Sequence, residues 1–292
     1  MVKKSIFILM ILMIALITIK FFIDQRQQEN VNDSLAMNTE NKIKYVEEKS
    51  NIHYNPNKNS SASIFGGHPK AVSYPNRIKI LNNIGFVVGY DEVRKDPAWV
   101  SYRIFKDKIE RGPKRPSRFM VDDRTEAKVS HDDYTKSGYD RGHMAPNWAI
   151  ALRYGPEAQI ETFLMSNIVP QSPNLNQGPW RELEEVVCKI YGNDLEEVWI
   201  TTGPIFDKRI EKLPSGIEIP DEFYKIIVDV LPNQEIRVMA FLMPQNIAKD
   251  AFYGDYLVSV DMVEEKSGLD FMSELRDDEE ELLEMDKLSK PW

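Results

Sequence analysis

Cysteine is nearly absent: the 292 residues contain one, Cys188. A single thiol excludes any intrachain disulfide and any cysteine-built metal cage. Set in "LEEVVCKIYGN", it reads as a buried helix residue. Histidine is almost as scarce, at four copies, and one of them stands inside a charged cluster. No internal repeat is present. Positive charge is also short, with 37 Lys and Arg against 46 Asp and Glu and a net charge of −9. That sign argues against a polyanionic partner, but the deficit is uneven. Residues 61–150 carry 16 Lys and Arg against 11 Asp and Glu, whereas residues 151–292 carry 13 against 29. Charge asymmetry between halves is informative where a net value is not.

What is present is enough chain for one large domain or two small ones, with a sizeable core. The N-terminus, "MVKKSIFILMILMIALITIKFFIDQRQQ", places Lys3 and Lys4 before an apolar run from Ile6 to Ile23, interrupted by Lys20. This length just reaches a membrane span, and Lys20 can snorkel to the interface. Residues 1–23 are therefore expected to be an N-terminal membrane anchor, a cleaved signal segment being the alternative. The positive-inside rule puts the bulk of the chain on the exported side of the membrane. Residues 24–62 are rich in Asn, Gln, Ser, Glu and Lys without apolar periodicity, and read as a flexible polar tether.

Residues 63–287 read as the globular domain. "IGFVVGYD", "AWVSYRIF" and "EEVWITTGPIF" have strand character, and "FYKIIVDVLPNQEIRVMAFLMP" reads as a hairpin of two long strands. Residues 107–138 read as a long irregular segment of the kind that tends to carry function. "ETFLMSNIVP" suggests a strand or buried segment ending at Pro170. "GPWRELEEVVCKIYGN" has a proline in its first turn and an apolar stripe, and reads as a helix stopping at Gly192. "SELRDDEEELLEMDKL" reads as a late acidic helix. Strands and helices mix without strict alternation, which gives an α+β class.

The cluster "YDRGHMAPNWAI" holds Asp140, Arg141, Gly142 and His143 in succession. A lone histidine is most often a core residue with one hydrogen bond, but these neighbours change the reading. Arg141 offers a planar fork of donors suited to phosphate. Gly142 permits close backbone approach or an unusual dihedral. Asp140 can orient neighbouring groups. An imidazole, a guanidinium and a carboxylate suit phosphodiester hydrolysis, which needs activated water and charge stabilisation at phosphorus. Farther on, "SNIVPQSPNLNQGPWRELEE" crowds Asn167, Asn174 and Asn176 before a helix. Such amides are usually caps and turns, although an Asn carbonyl is also a hard ligand for Mg²⁺. Glu184 follows Asn176 by eight residues, about 12 Å of rise if both were helical. That is too far for both to bind one ion directly, so one would bind it and the other would reach its waters.

These two stretches together resemble the DNA/RNA non-specific endonuclease family, which includes secreted bacterial nucleases and mitochondrial endonuclease G. The resemblance extends through "GYDEVRKDPAWVSYRI", "RFMVDDR", "TTGPIF", "IPDEFYKII" and "EEKSGLDFMSEL", over roughly residues 65–285. It implies a ββα-metal (His-Me finger) nuclease fold with a central antiparallel sheet flanked by helices. It also implies cleavage of DNA and RNA that leaves 5′-phosphate and 3′-hydroxyl ends. By position in the motifs, His143 matches the general base and Asn176 the sole protein ligand of Mg²⁺, with Mn²⁺ an alternative metal. Glu184 matches a residue holding metal-bound water, Arg141 a phosphate contact, and Arg118 the arginine that stabilises the transition state. Arg115, three residues from Arg118, competes for a substrate-binding role. Asp140 matches the first motif position, with a supporting part, and Asn167 a structural hydrogen-bonding one. Pro179 stands where many members carry a small residue. Homodimers are known in the family. Two other readings stay open: an exported nucleic-acid-binding module without catalysis, and a phosphodiesterase on another substrate.

Overall fold

The computed structural model describes residues 63–74, 76–106, 114–206 and 209–292. The expected anchor, the tether and the start of the irregular segment (107–113) lie outside them. Among the described residues no helix is long and apolar enough to cross a membrane.

Among the described residues there are eleven strands: β1 (Lys70–Ala71), β2 (Ile78–Asn83), β3 (Phe86–Asp91), β4 (Asp96–Phe105), β5 (Asp140–His143), β6 (Ile168–Gln171), β7 (Glu197–Ile205), β8 (Glu222–Val230), β9 (Ile236–Pro244), β10 (Leu257–Val258) and β11 (Leu269–Asp270). Seven of them form one antiparallel sheet in the order β10-β9-β8-β7-β4-β3-β2. The main helices are α1 (Asn147–Tyr154), α2 (Pro156–Glu161), α3 (Pro173–Asn176), α4 (Pro179–Val186), α5 (Val260–Ser267) and α6 (Asp277–Glu284).

Both faces of the large sheet are covered, which is why its strands read as near-continuous apolar runs rather than alternating ones. Val100, Tyr102, Val198, Ile200, Phe223 and Ile227 share one core with Ile150 of α1 and Trp180 and Leu183 of α4. The alternate residues Trp99, Trp199, Tyr224, Ile226 and Val228 share a second core with Val263 of α5 and Leu283 of α6. The two-residue period of the strand sorts the side chains between these layers. The second layer is strongly acidic: burial, then repulsion from neighbouring carboxylates, pushes Glu284 up to about 10.

The expected strands, the β8–β9 hairpin and the acidic helix are all present. "ETFLMSNIVP" divides: Met165–Asn167 is a 3-10 turn, and only Ile168–Gln171 is strand. Gly192 does not stop the long helix. The helix passes through a π-helical stretch, Val187–Tyr191, and continues through Gly192–Asp194. Gly192 is there for packing, since an added Cβ would lie 2.4 Å from Ile104 Cγ2 and 2.7 Å from Arg153 Nη2.

Candidate active site

The charged cluster is itself a strand, β5, paired antiparallel with β6 so that Gly142 faces Val169 and His143 faces Ile168. Helices α3 and α4 follow β6, giving a ββα unit laid beside the large sheet. Gln245, just past β9, fastens this unit down: its Oε1 accepts from Ser172 N at 2.7 Å and its Nε2 donates to Pro170 O at 2.9 Å. Gly142 serves close approach, not an unusual dihedral. A Cβ there would lie 2.1 Å from Gln171 Oε1.

Strand alternation divides the motif. Arg141 and His143 project to one side and line a pocket of about 540 Å³. Asp140 projects to the other and works from behind, where its Oδ2 accepts from Asn176 Nδ2 and Gln177 Nε2, each at 2.8 Å. That grip occupies the amide nitrogen of Asn176 and leaves its carbonyl oxygen free to act as a ligand. Arg141 is preset by His131 O, which accepts from its Nη2 at 2.7 Å and its Nε at 3.1 Å.

The His143 ring is packed edge-on against Phe163, 5.0 Å between centroids, and tilted against Phe119 at 5.3 Å. Its Nε2 is buried and has no hydrogen-bond partner. Burial, reinforced by the Arg115 guanidinium, holds its pKa down at about 3. Burial thus favours the neutral imidazole, and its Nε2 is unused. Asn167 fixes the chain just beyond it: its Oδ1 accepts from Ala145 N at 2.8 Å, and its Nδ2 donates to Ala145 O at 3.1 Å and Thr162 O at 3.0 Å.

Asn176 and Glu184 do not share a helix. Asn176 closes α3, Gly178 breaks the path, and α4 begins at Pro179. Both nevertheless line the pocket. Glu184 is half-buried, with its Oε1 sealed from solvent and unpartnered. Burial raises its pKa to about 7, while Lys225 pulls it down. Lys225 is 0% exposed on β8 and lies 4.3 Å above the Trp180 ring. Burial lowers it to about 8 against the attraction of Glu184. Each member of this pair is thus pushed towards neutrality by desolvation and held back by the other.

Of the seven site residues expected from sequence, His143, Asn176, Glu184, Arg141 and Arg115 line the pocket, and Asp140 supports it. Arg118 is placed otherwise: it is exposed and pairs with Asp132 at 2.7 Å. Arg115 has its guanidinium 5.4 Å from the Phe163 ring. Sequence reasoning missed Asn147, Trp148, Arg181 and Lys189, which also line the pocket, and Lys225 behind it. A lysine inside the apolar run "FYKIIVDV" was the available signal for the last. Three buried polar atoms of pocket-lining residues have no partner: His143 Nε2, Asn147 Oδ1 and Glu184 Oε1. The free Asn176 carbonyl is a hard oxygen donor that fits a hydrated Mg²⁺, which keeps several waters and needs few protein groups.

The chain matches the DNA/RNA non-specific endonuclease family over residues 68–278. It is 27% identical to mitochondrial endonuclease G of Homo sapiens over 213 residues, covering 68% of this chain and 71% of that protein. It is 31% identical to the mitochondrial nuclease EXOG of Mus musculus, covering 64% of this chain and 55% of that protein. Against the nuclease of Serratia marcescens it is 30% identical, covering 66% and 74%. A solved structure of the EndoG/EndoGI complex superposes with a TM-score of 0.61 at 24% identity, covering 70% of this chain and 91% of that one. This likeness establishes the ββα-metal fold.

Proposed function

The chain belongs to the DNA/RNA non-specific endonuclease family, and from that premise we propose that it hydrolyses phosphodiester bonds of DNA and RNA with little sequence preference. The observation that carries this reading is one pocket containing the His143 imidazole, an asparagine carbonyl left free by the grip on its amide nitrogen, and three guanidinium groups, Arg115, Arg141 and Arg181.

The His143 imidazole, which lines the pocket, takes the proton of the attacking water. Its low basicity limits proton affinity, but the nitrogen needs no deprotonation before it acts. Arg141 and Arg115 hold the phosphate and meet the charge that develops at phosphorus. Asn176 would hold Mg²⁺ or Mn²⁺ through its carbonyl oxygen, with Asp140 fixing the orientation of the amide. Glu184 accepts hydrogen bonds from waters in the pocket, and Lys225 keeps its carboxylate available. The metal, when bound, polarises the phosphoryl oxygen and eases departure of the leaving oxygen. Backbone phosphate contacts carry no base information, which accounts for the weak sequence preference.

The test is an assay of the purified full chain on plasmid DNA and on RNA with Mg²⁺, Mn²⁺ and EDTA. Cleavage of both, abolished by EDTA, is expected. Intact nucleic acid with either metal would sink the proposal, and binding without turnover would instead favour a non-catalytic module. Residues 1–23 are proposed to hold the enzyme on the exported side of a membrane. Release of the full chain from membranes by alkaline carbonate would rule out an integral anchor.

A further inference from the structure

On the sheet face away from the pocket, α5 and α6 press carboxylates together. Asp261 and Glu264 are three residues apart on α5, and Glu280 and Glu284 are four apart on α6, so each pair shares a helix face. One oxygen each from Asp261, Glu264 and Glu284 lies within 4.8 Å of the others. Oxygens that share a cation at about 2.3–2.6 Å would show such separations. Glu284 is only 5% exposed, and its Oε1 is sealed from solvent without a hydrogen-bond partner. The charged groups acting on it are Glu264, Glu280, Asp261 and Asp270, all carboxylates. The basic residues along these helices are engaged elsewhere: Lys266 pairs with Glu222, and Arg276 with Asp278 and Glu279. A buried carboxylate normally has a donor or a counter-ion; Glu284 shares a hydrogen bond with Glu264, another carboxyl group, and its Oε1 has no partner.

We propose that Asp261, Glu264 and Glu284 form a second cation site, remote from the nuclease pocket, that takes Ca²⁺ and ties α5 to α6. The donor set is all carboxylate oxygen, which suits a hard cation and not zinc. Phe271 N donates to Glu264 Oε1 at 2.7 Å, which orients that side chain and leaves its second oxygen for the ion. Asp261 is exposed, so one side of the site is open for entry and for waters that complete the shell. Ca²⁺ suits side chains from two separate helices because it accepts irregular geometry, whereas Mg²⁺ demands a near-ideal octahedron.

The experiment is thermal melting and calorimetric titration of the full chain carrying Asn176→Ala, which removes the proposed ligand in the nuclease pocket. Expected is one Ca²⁺ per chain and a rise in Tm of about 5–10 °C at Ca²⁺ a hundredfold above its Kd. Glu284→Gln added to that variant keeps the shape of the side chain and abolishes the rise, and Glu264→Gln does the same. The idea is overturned by absence of a Ca²⁺-dependent rise, or by a rise that persists unchanged in both glutamine variants. Either result would leave the cluster as carboxyl groups sharing protons. Neither readout depends on nuclease activity, so failure of the catalytic proposal leaves this one standing.

Discussion

The two faces of the large sheet bury polar groups on opposite terms. Towards α4, Lys225 comes up from β8 beneath Glu184, and the pocket above them also holds Arg115, Arg141 and His143. Towards α5 and α6, Glu264, Glu280 and Glu284 meet Asp261 and Asp270 with no such lysine. The same strands build both layers, so the difference comes largely from the helices packed on them: the carboxylates sit on α5 and α6, whereas Lys225 rises from β8. The acidity of the chain is thus gathered in part on a face that substrate need not approach. A net charge of −9 is compatible with a phosphate-binding pocket because potential is local at short range and screened beyond about 10 Å.

The strongest test of this contrast is His143→Ala. Loss of the base is expected to lower kcat by about 10²–10⁴-fold while leaving the melting of the acidic layer unchanged. A variant with wild-type turnover would break the assignment. The next is Lys225→Met, which removes the lysine beneath the pocket. Because Glu184 and Lys225 already lie near neutrality, at about 7 and about 8, the expected cost is about 1–3 kcal/mol. That is less than is usual for breaking a buried pair. The pH profile gives the sharper readout. Lys225 lowers the Glu184 pKa, so its loss raises that pKa above about 7 and moves the acid limb of activity to higher pH. An unmoved limb in the methionine variant would contradict this.

Smaller effects follow. Gly142→Ala forces a methyl against the buried Gln171 side chain and is expected to cost about 1–3 kcal/mol, read from urea melts. A neutral outcome would show that Gln171 yields. Arg181→Ala and Lys189→Ala should each reduce the salt slope of nucleic-acid binding by about one at most. Glu185 already pairs with both, at 3.9 and 2.7 Å, so the effect is the smallest of the set.

The sequence made Asp140–His143, Asn176 and Glu184 legible because their spacing within two ordered motifs is itself chemical information. It left Arg115 and Arg118 unresolved, since three residues of irregular chain decide between a pocket and an exposed pair with Asp132. Lys225 escaped because a strand pattern read by hydrophobicity treats one lysine as an exposed edge residue. Only the α4 layer above β8 reveals it as buried. Gly192 misled for the opposite reason: a glycine near a helix end is usually a stop, and here tertiary contact with Ile104 overrode that preference.

The arrangement of β5 has a practical consequence for anyone redesigning this enzyme. Because Arg141 and His143 line the pocket while Asp140 holds Asn176, the proposed roles give metal preference and substrate handling separate handles on one four-residue strand. Asp140→Asn should retune which divalent ion supports turnover, with the phosphate grip left intact. A one-residue insertion within the strand would exchange the two sides and disable both together.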